Sequence, residues 1–343
     1  MKKPLRLAAR ISFLVFVLVC LGLGMVLAWF TSWRSDKLAA LDAASEIADT
    51  NLGKIEYLTK GEGPAVLVFH GAPGGYDQAM LFGSGLAAHG FEVVAPSRPG
   101  YLRTPLGTGL IPLQEADAMT ALLDLLGLDK VGVMGVDAGA LPAMEFAARH
   151  PDRTWALVLV SPLTRRIENW SPGSAPELSK EVQAAMTGDM GAWVCVKTAE
   201  KDPERAIGWM LDLSSNGDPT QRAIATTSIL KQSGQLEWFQ AFMSTFAPDS
   251  ARYVGARNDQ LRIRALEELP LKKITAPTLL IRGVLDRAVP LADVKFTTAG
   301  IAGASLYEVP YAGHVVWLGP QAAEVESKIE EFLKQHAPTG SQP

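Results

Sequence analysis

Residues 131–151 read VGVMGVDAGALPAMEFAARHP, and this stretch decides the architecture. Val131 to Val136 is a short apolar run rich in β-branched residues, and Ala140 to Arg149 has a helical pattern. Only Asp137, Ala138 and Gly139 separate the two. An apolar strand that passes at once into a helix through small residues is the strand–turn–helix unit of a parallel sheet. Gly135 and Gly139 permit a tight, strained turn that pushes the side chain of Asp137 out at the end of the strand. Aspartate also caps helices, so the position alone does not make Asp137 a reactive group.

Outward from this unit the alternation continues. Apolar runs at 54–58, 66–70, 93–97, 156–160, 278–282 and 305–309 are spaced by helical patterns, among them 114–126 and 320–334. Near-continuous apolar strands between helices predict an α/β fold, a mostly parallel sheet with helices on both faces. Residues 163–270 interrupt the alternation with a helix-rich stretch carrying Trp170, Trp193, Trp209 and Trp238. They read as a helical insertion into one core, 53–162 plus 271–336, and the tail 337–343 (APTGSQP) as a disordered end.

At the other terminus no charge stands between Arg10 and Arg34, and residues 11–30 read ISFLVFVLVCLGLGMVLAWF. As a helix this run spans the ~30 Å hydrocarbon core of a bilayer. Residues 1–34 therefore read as an uncleaved single-pass anchor. A cleaved signal peptide is the rival, disfavoured by the length of the run and the lack of a small-x-small site directly after it. Lys2, Lys3, Arg6 and Arg10 precede the span, so the N-terminus is expected in the cytoplasm and the rest of the chain on the extracytoplasmic side. Leu38, Leu41, Ala44 and Ile47 recur at helical spacing, which predicts a stalk helix within 35–52.

The 343 residues carry a formal net charge of −4, which supplies no basic surplus for nucleic acid and excludes it as a partner. Two cysteines, Cys20 and Cys195, build neither a disulfide framework nor a cysteine-rich metal site, and the five histidines are too scattered for a ligand cluster. No metal or organic cofactor is expected.

Three further motifs stand at strand ends. His70-Gly71-Ala72-Pro73-Gly74-Gly75 follows the 66–70 run, where a backbone N–H cradle for developing negative charge belongs. Asp286 lies in the turn after 278–282, placed to fix the tautomer of an imidazole. Gly313-His314 follows the last strand and precedes the terminal helix. Cradle, elbow, acid and histidine in this order resemble the α/β-hydrolase fold family, from about residue 51 to 334. Within it, Pro96-Ser97-Arg98-Pro99-Gly100-Tyr101 and 131–151 are similar to bacterial serine hydrolases of the esterase and C–C hydrolase type, which would carry Ser at 137.

Aspartate in that place changes the chemistry. A carboxylate that attacks an ester carbonyl gives a high-energy mixed anhydride, whereas attack on an sp3 carbon gives an ordinary alkyl ester that activated water can hydrolyse. Two-step chemistry of this kind belongs to the epoxide hydrolase and haloalkane dehalogenase branches, and His70-Gly71-Ala72-Pro73 resembles the His-Gly-x-Pro motif of epoxide hydrolases. The resemblance implies catalytic Asp137, His314 and Asp286, with an oxyanion hole from the backbone N–H groups of Ala72 and Ala138. Pro73 has no N–H to offer. Haloalkane dehalogenases hold halide with a Trp after the nucleophile and often an Asn in the first loop, and here Ala138 and Ala72 occupy those positions. Fluoroacetate dehalogenases use an arginine near the elbow, which Ala138 and Ala140 do not provide. Epoxide opening needs an acid for the emerging alkoxide, commonly paired lid tyrosines. Tyr253 is the one tyrosine within 163–270 and the candidate lid acid, while Tyr76 and Tyr101 read first as packing aromatics.

The expectation is a membrane-anchored hydrolase that acts on a hydrophobic small molecule through a covalent ester on Asp137. The alternatives are an esterase-type hydrolase of the same fold and a non-catalytic binding protein holding an Asp137–His314 ion pair.

Overall fold

A computed structural model describes residues 3–167 and 188–338. Trp170 and the rest of 168–187, within the expected lid, and the tail beyond 338 lie outside the described residues. The chain divides into two units, Met1–Ala44 and Ser45–Pro343.

The first unit is one helix, α1 (Lys3–Ala44). Its Arg10–Ala44 portion is long and apolar enough to cross a membrane, with a mean hydropathy of 2.8 over the qualifying window. The helix expected within 35–52 forms only up to Ala44, as the end of a longer helix. Glu46–Thr50 is instead a strand, β1. The weak helical spacing that reached Ile47 is overridden by pairing: Glu46 to Thr50 lie antiparallel to residues 57 to 53, and the Ser45 hydroxyl donates to Glu56 at 2.7 Å.

The second unit is built on an eight-stranded sheet in the order β1-β2-β4-β3-β5-β6-β7-β8. After β1 come β2 (Gly53–Lys60), β3 (Ala65–Phe69), β4 (Glu92–Pro96), β5 (Val131–Val136), β6 (Thr154–Val160), β7 (Thr278–Gly283) and β8 (Ser305–Val309). β1 and β2 are antiparallel at one edge, and β4 through β8 run parallel. Every residue of β3, β5, β6 and β7 is buried, as a sheet covered on both faces requires.

The two-residue side-chain period sorts these strands into two cores. Leu67 and Phe69 pack with Met119 of α3 (Pro112–Leu125) and Phe146 of α4 (Ala140–Arg149). Val66 and Val68 face the other way, onto Phe82 of α2 (Tyr76–Ala88) and Ile329 of a C-terminal helix (Ala322–His336). Full burial of each such side chain contributes about 1.5–3 kcal/mol.

Between β6 and β7 the described residues hold α5 (Gly188–Lys201), α6 (Pro203–Ser214), α7 (Pro219–Lys231), α8 (Gln235–Ser244) and α9 (Tyr253–Arg264). They share a small core of their own around Ile207, Leu211, Ile229 and Phe239. Aspartate before proline starts two of them: Asp202 caps α6, and Asp218 forms a capping box with Gln221 at α7. The sequence closes with α10 (Leu291–Gly300), β8 and α11 (Ala322–His336). The loops after β3, β5, β7 and β8 all emerge at the carboxyl edge of the parallel sheet. Between β3 and its neighbours the strand order reverses, which makes this edge the usual place for a site in such a fold.

Candidate active site

The turn after β5 carries Asp137 at φ +51°, in the left-handed region. A non-glycine residue there costs on the order of 1–3 kcal/mol, and aspartate is among the side chains that tolerate it best. The flanking glycines make the turn possible. A Cβ on Gly135 would stand 2.6 Å from the Cβ of Ala143, and one on Gly139 would stand 2.3 Å from the carbonyl oxygen of His70. Strand, helix and cradle loop therefore meet with no room for a side chain at either position.

The carboxylate of Asp137 is held on two sides. Oδ2 accepts a hydrogen bond from the backbone N–H of Ala72 at 3.0 Å, and Oδ1 lies 3.5 Å from Nε2 of His314. The second distance is an ion-pair contact, longer than the roughly 2.7–3.2 Å of an N–H···O hydrogen bond. Ala138 follows in the same turn and is fully buried. On the far side of the imidazole, Nδ1 of His314 donates to Asp286 at 3.0 Å (Oδ2) and 3.2 Å (Oδ1). Asp286 is itself fixed, its Oδ1 accepting from the N–H groups of Ala288 at 2.8 Å and Val289 at 3.0 Å. Burial alone would lower the affinity of His314 for its proton, but Asp286 and then Asp137 outweigh it, and the imidazole is raised to about 10.

The structure thus brings Asp137, His314, Asp286 and Ala72 together. It does not bring Tyr253. That ring is 58% exposed at the start of α9, because the helix turns Gly255, Asp259 and Ile263 inward and leaves position 253 on the outer face. Tyr101 and Tyr76 are buried, and the Tyr101 hydroxyl donates to Asp259 at 2.5 Å.

Several residues that sequence reasoning passed over hold the cradle. Gln78 accepts from Gly71 N–H at 3.0 Å and donates to Pro73 O at 2.9 Å and to Thr245 at 3.0 Å. Arg252, fully buried, donates to Gly74 O at 2.7 Å and pairs with Asp77 at 2.7 Å. Arg98 joins Glu115 of the core at 2.6 Å to Asp259 of the insertion at 2.7 Å. Ser161, just past β6, donates to the carbonyl of His314 at 2.6 Å. Arg98 lies within the quoted PSRPGY motif; Arg252 and Ser161 gave no local signal, since these partners lie more than a hundred residues away, and Gln78 reaches both nearby Gly71 and Pro73 and distant Thr245.

A family model of the alpha/beta hydrolase fold matches residues 64–318. Hydrolase YcgS of Bacillus subtilis, itself uncharacterized, is 27% identical over 282 residues, 82% of this chain and 95% of that one. Epoxide hydrolase 1 of Siraitia grosvenorii is 28% identical over 318 residues, 83% of this chain and 96% of that one. Other relatives matching over a similar length are named as a methyl ester esterase and a dienedioate hydrolase, so the names divide between reactions. A solved alpha/beta hydrolase fold protein from Nakamurella multipartita superposes with a TM-score of 0.77 at 29% identity, covering 84% of this chain and 99% of the other. With the family model spanning most of the sequence and the sheet order and strand-end loops in agreement, the chain belongs to the α/β-hydrolase fold family.

Proposed function

We propose that the protein hydrolyses an epoxide on a hydrophobic small molecule through a covalent ester on Asp137. The observation that carries this reading is the two-sided hold on the carboxylate: Oδ2 rests on the Ala72 N–H while Oδ1 is left beside His314. Oδ1 attacks a ring carbon, and the C–O bond breaks toward the epoxide oxygen. No lid tyrosine reaches the site among the described residues, and His314, raised to about 10, carries a proton at neutral pH that the alkoxide can take. Neutral His314 then removes a proton from water as its oxygen adds to Cγ of the ester. The charge that develops on Oδ2 falls where the Ala72 N–H already points, with Ala138 next to it. Collapse breaks the Cγ–Oδ1 bond, His314 returns its proton to the leaving oxygen, and the new Asp137 carboxylic acid re-protonates His314. Asp286 holds the imidazole throughout.

The four tryptophans of 163–270 support a hydrophobic substrate and a lid role for the insertion. In the same reading α1 anchors the chain in a membrane with Ser45–Pro343 outside the cytoplasm. A reporter fused after residue 50 should be active outside the cytoplasm, and cytoplasmic activity would refute that side of it.

The test of the chemistry is to incubate His314→Gln with an epoxide panel and map adducts by intact-protein and peptide mass spectrometry. Loss of the imidazole slows the first step and stops the second, so an alkyl ester should accumulate on Asp137. A single wild-type turnover in 18O-water should place the label in the Asp137 carboxylate. No adduct on any panel member, together with no wild-type turnover, would leave the parked ion pair of a binding protein as the better reading. That protein would keep its ligand affinity after Asp137→Asn.

A further inference from the structure

We propose that the backbone of Ser214–Asn216, where the chain leaves α6, is a positioning element for the acid–histidine half of the site, which makes the insertion part of the hydrolytic machinery. This rests on the Asp137–His314 reading above.

Three strands of connection support it. The carbonyl of Ser214 accepts from His314 N–H at 3.0 Å and from Arg287 N–H at 3.3 Å, so one oxygen joins the histidine loop to the acid loop. Asn216 N–H donates to Leu285 O at 2.8 Å, and Ser215 bridges Asp286 in antiparallel fashion. The Arg287 side chain reaches back to Asp212 O at 2.9 Å.

The segment is rigid in its own right. Ser215 N–H closes onto Leu211 O at 2.9 Å, its hydroxyl accepts from Gly217 N–H at 3.1 Å, and the Asp218 capping box follows at once. It also presses on the catalytic loop. A Cβ on Gly313 would stand 2.9 Å from the Ser214 carbonyl oxygen and 3.0 Å from the Ser215 Cβ. The main chain of His314 is therefore gripped from both sides, its carbonyl by Ser161 of the core and its N–H by the insertion.

Proton delivery to a nascent alkoxide tolerates a displaced ring better than water activation does, because the latter needs Nε2, water and Cγ in line. A loosened strap should therefore slow ester hydrolysis more than ester formation.

The experiment compares Gly313→Ala, which crowds the strap, and Arg287→Ala, which unties its Asp212 anchor, with Gly208→Ala as a control. Gly208 lies in α6 with open space where a Cβ would go. Two readouts are taken: the titration midpoint of the His314 imidazole in 15N-histidine spectra of ligand-free protein, assigned with His314→Gln, and epoxide kinetics. The two strap variants should lower the midpoint by about one pH unit. They should also lower kcat about tenfold with KM falling in step, as the Asp137 ester accumulates. Gly208→Ala should match wild type. A lowered kcat with KM and midpoint unchanged would mean that the segment only stabilises the fold, and the proposal would be overturned. An unmoved midpoint in both variants would overturn it as well. If Gly313→Ala does not fold, Arg287→Ala decides the matter. A shifted midpoint without adduct or turnover in any variant or wild type would sink the nucleophile reading and leave the strap standing.

Discussion

Two histidines lie on either side of the Asp137 turn, and their surroundings drive them in opposite directions. His70 donates from Nδ1 to Gly71 O at 2.7 Å and accepts at Nε2 from Arg98 N–H at 3.0 Å, which fixes one neutral tautomer. Burial first, then the nearby Arg98 and Arg252, hold it well below the ordinary 6.5. His314 is only half-buried, yet it sits between two carboxylates and is raised to about 10. His70 has every polar atom committed to backbone and packs edge-on against Tyr101 at 4.6 Å, so it pins the cradle. His314 keeps a looser 3.5 Å contact on the Asp137 side, where reacting atoms can enter. The sign of the neighbouring charge, cationic at His70 and anionic at His314, separates a structural imidazole from one equipped to move protons.

The sharpest way to break this contrast is to replace each ring by Gln. His314→Gln should lower epoxide turnover by about a thousandfold, the range of a lost acid–base group. His70→Gln should keep the chemistry and lose stability instead, as steady-state kinetics and denaturant melts of both variants will show. Equal losses of turnover would erase the distinction.

Next in size is the ion cluster behind His70. Glu115 is pushed up to about 7 by burial despite its Arg98 partner, so Arg98→Met would strand it and Asp259 without their shared cation. A loss of about 3–5 kcal/mol in denaturant unfolding is expected.

A smaller effect distinguishes the two rings by pH. The folded value for His314 lies above 6.5, so the stability it contributes is complete below pH 6.5 and is lost as pH rises through about 10. The folded value for His70 lies below 6.5, so its contribution is complete above pH 6.5 and is lost as pH falls beneath it. Melting temperature against pH should therefore flatten on the alkaline side in His314→Gln and on the acid side in His70→Gln. An alkaline slope unchanged by His314→Gln would contradict the assignment. The smallest expected effect is that of Tyr253→Phe: with the ring exposed, kcat and KM should stay within about twofold, and a larger loss would restore this tyrosine as an acid.

Local chemistry was legible and long-range partnership was not. The run Val131–Val136 matches β5 residue for residue, because a covered parallel strand writes its burial as unbroken apolar sequence. Asp137, Asp286 and His314 were readable because each stands where a strand ends. β1 was not, since among its residues only Ala48 is buried and an edge strand needs no apolar pattern. Arg252, Asp259 and Ser214 act through partners far along the chain, and no spacing rule connects Arg252 to Asp77 or Ser214 to His314.

The hydrogen bond from Ala72 to Asp137 has a pharmacological corollary. In a serine hydrolase of this fold the oxyanion hole is free to take up an oxygen of an incoming phosphonate or boronate. Here the protein's own carboxylate occupies the Ala72 donor, so the resting site is already its own inhibitor complex. Serine-directed probes should pass it by, and compounds that alkylate carboxylates should be the reagents that find it.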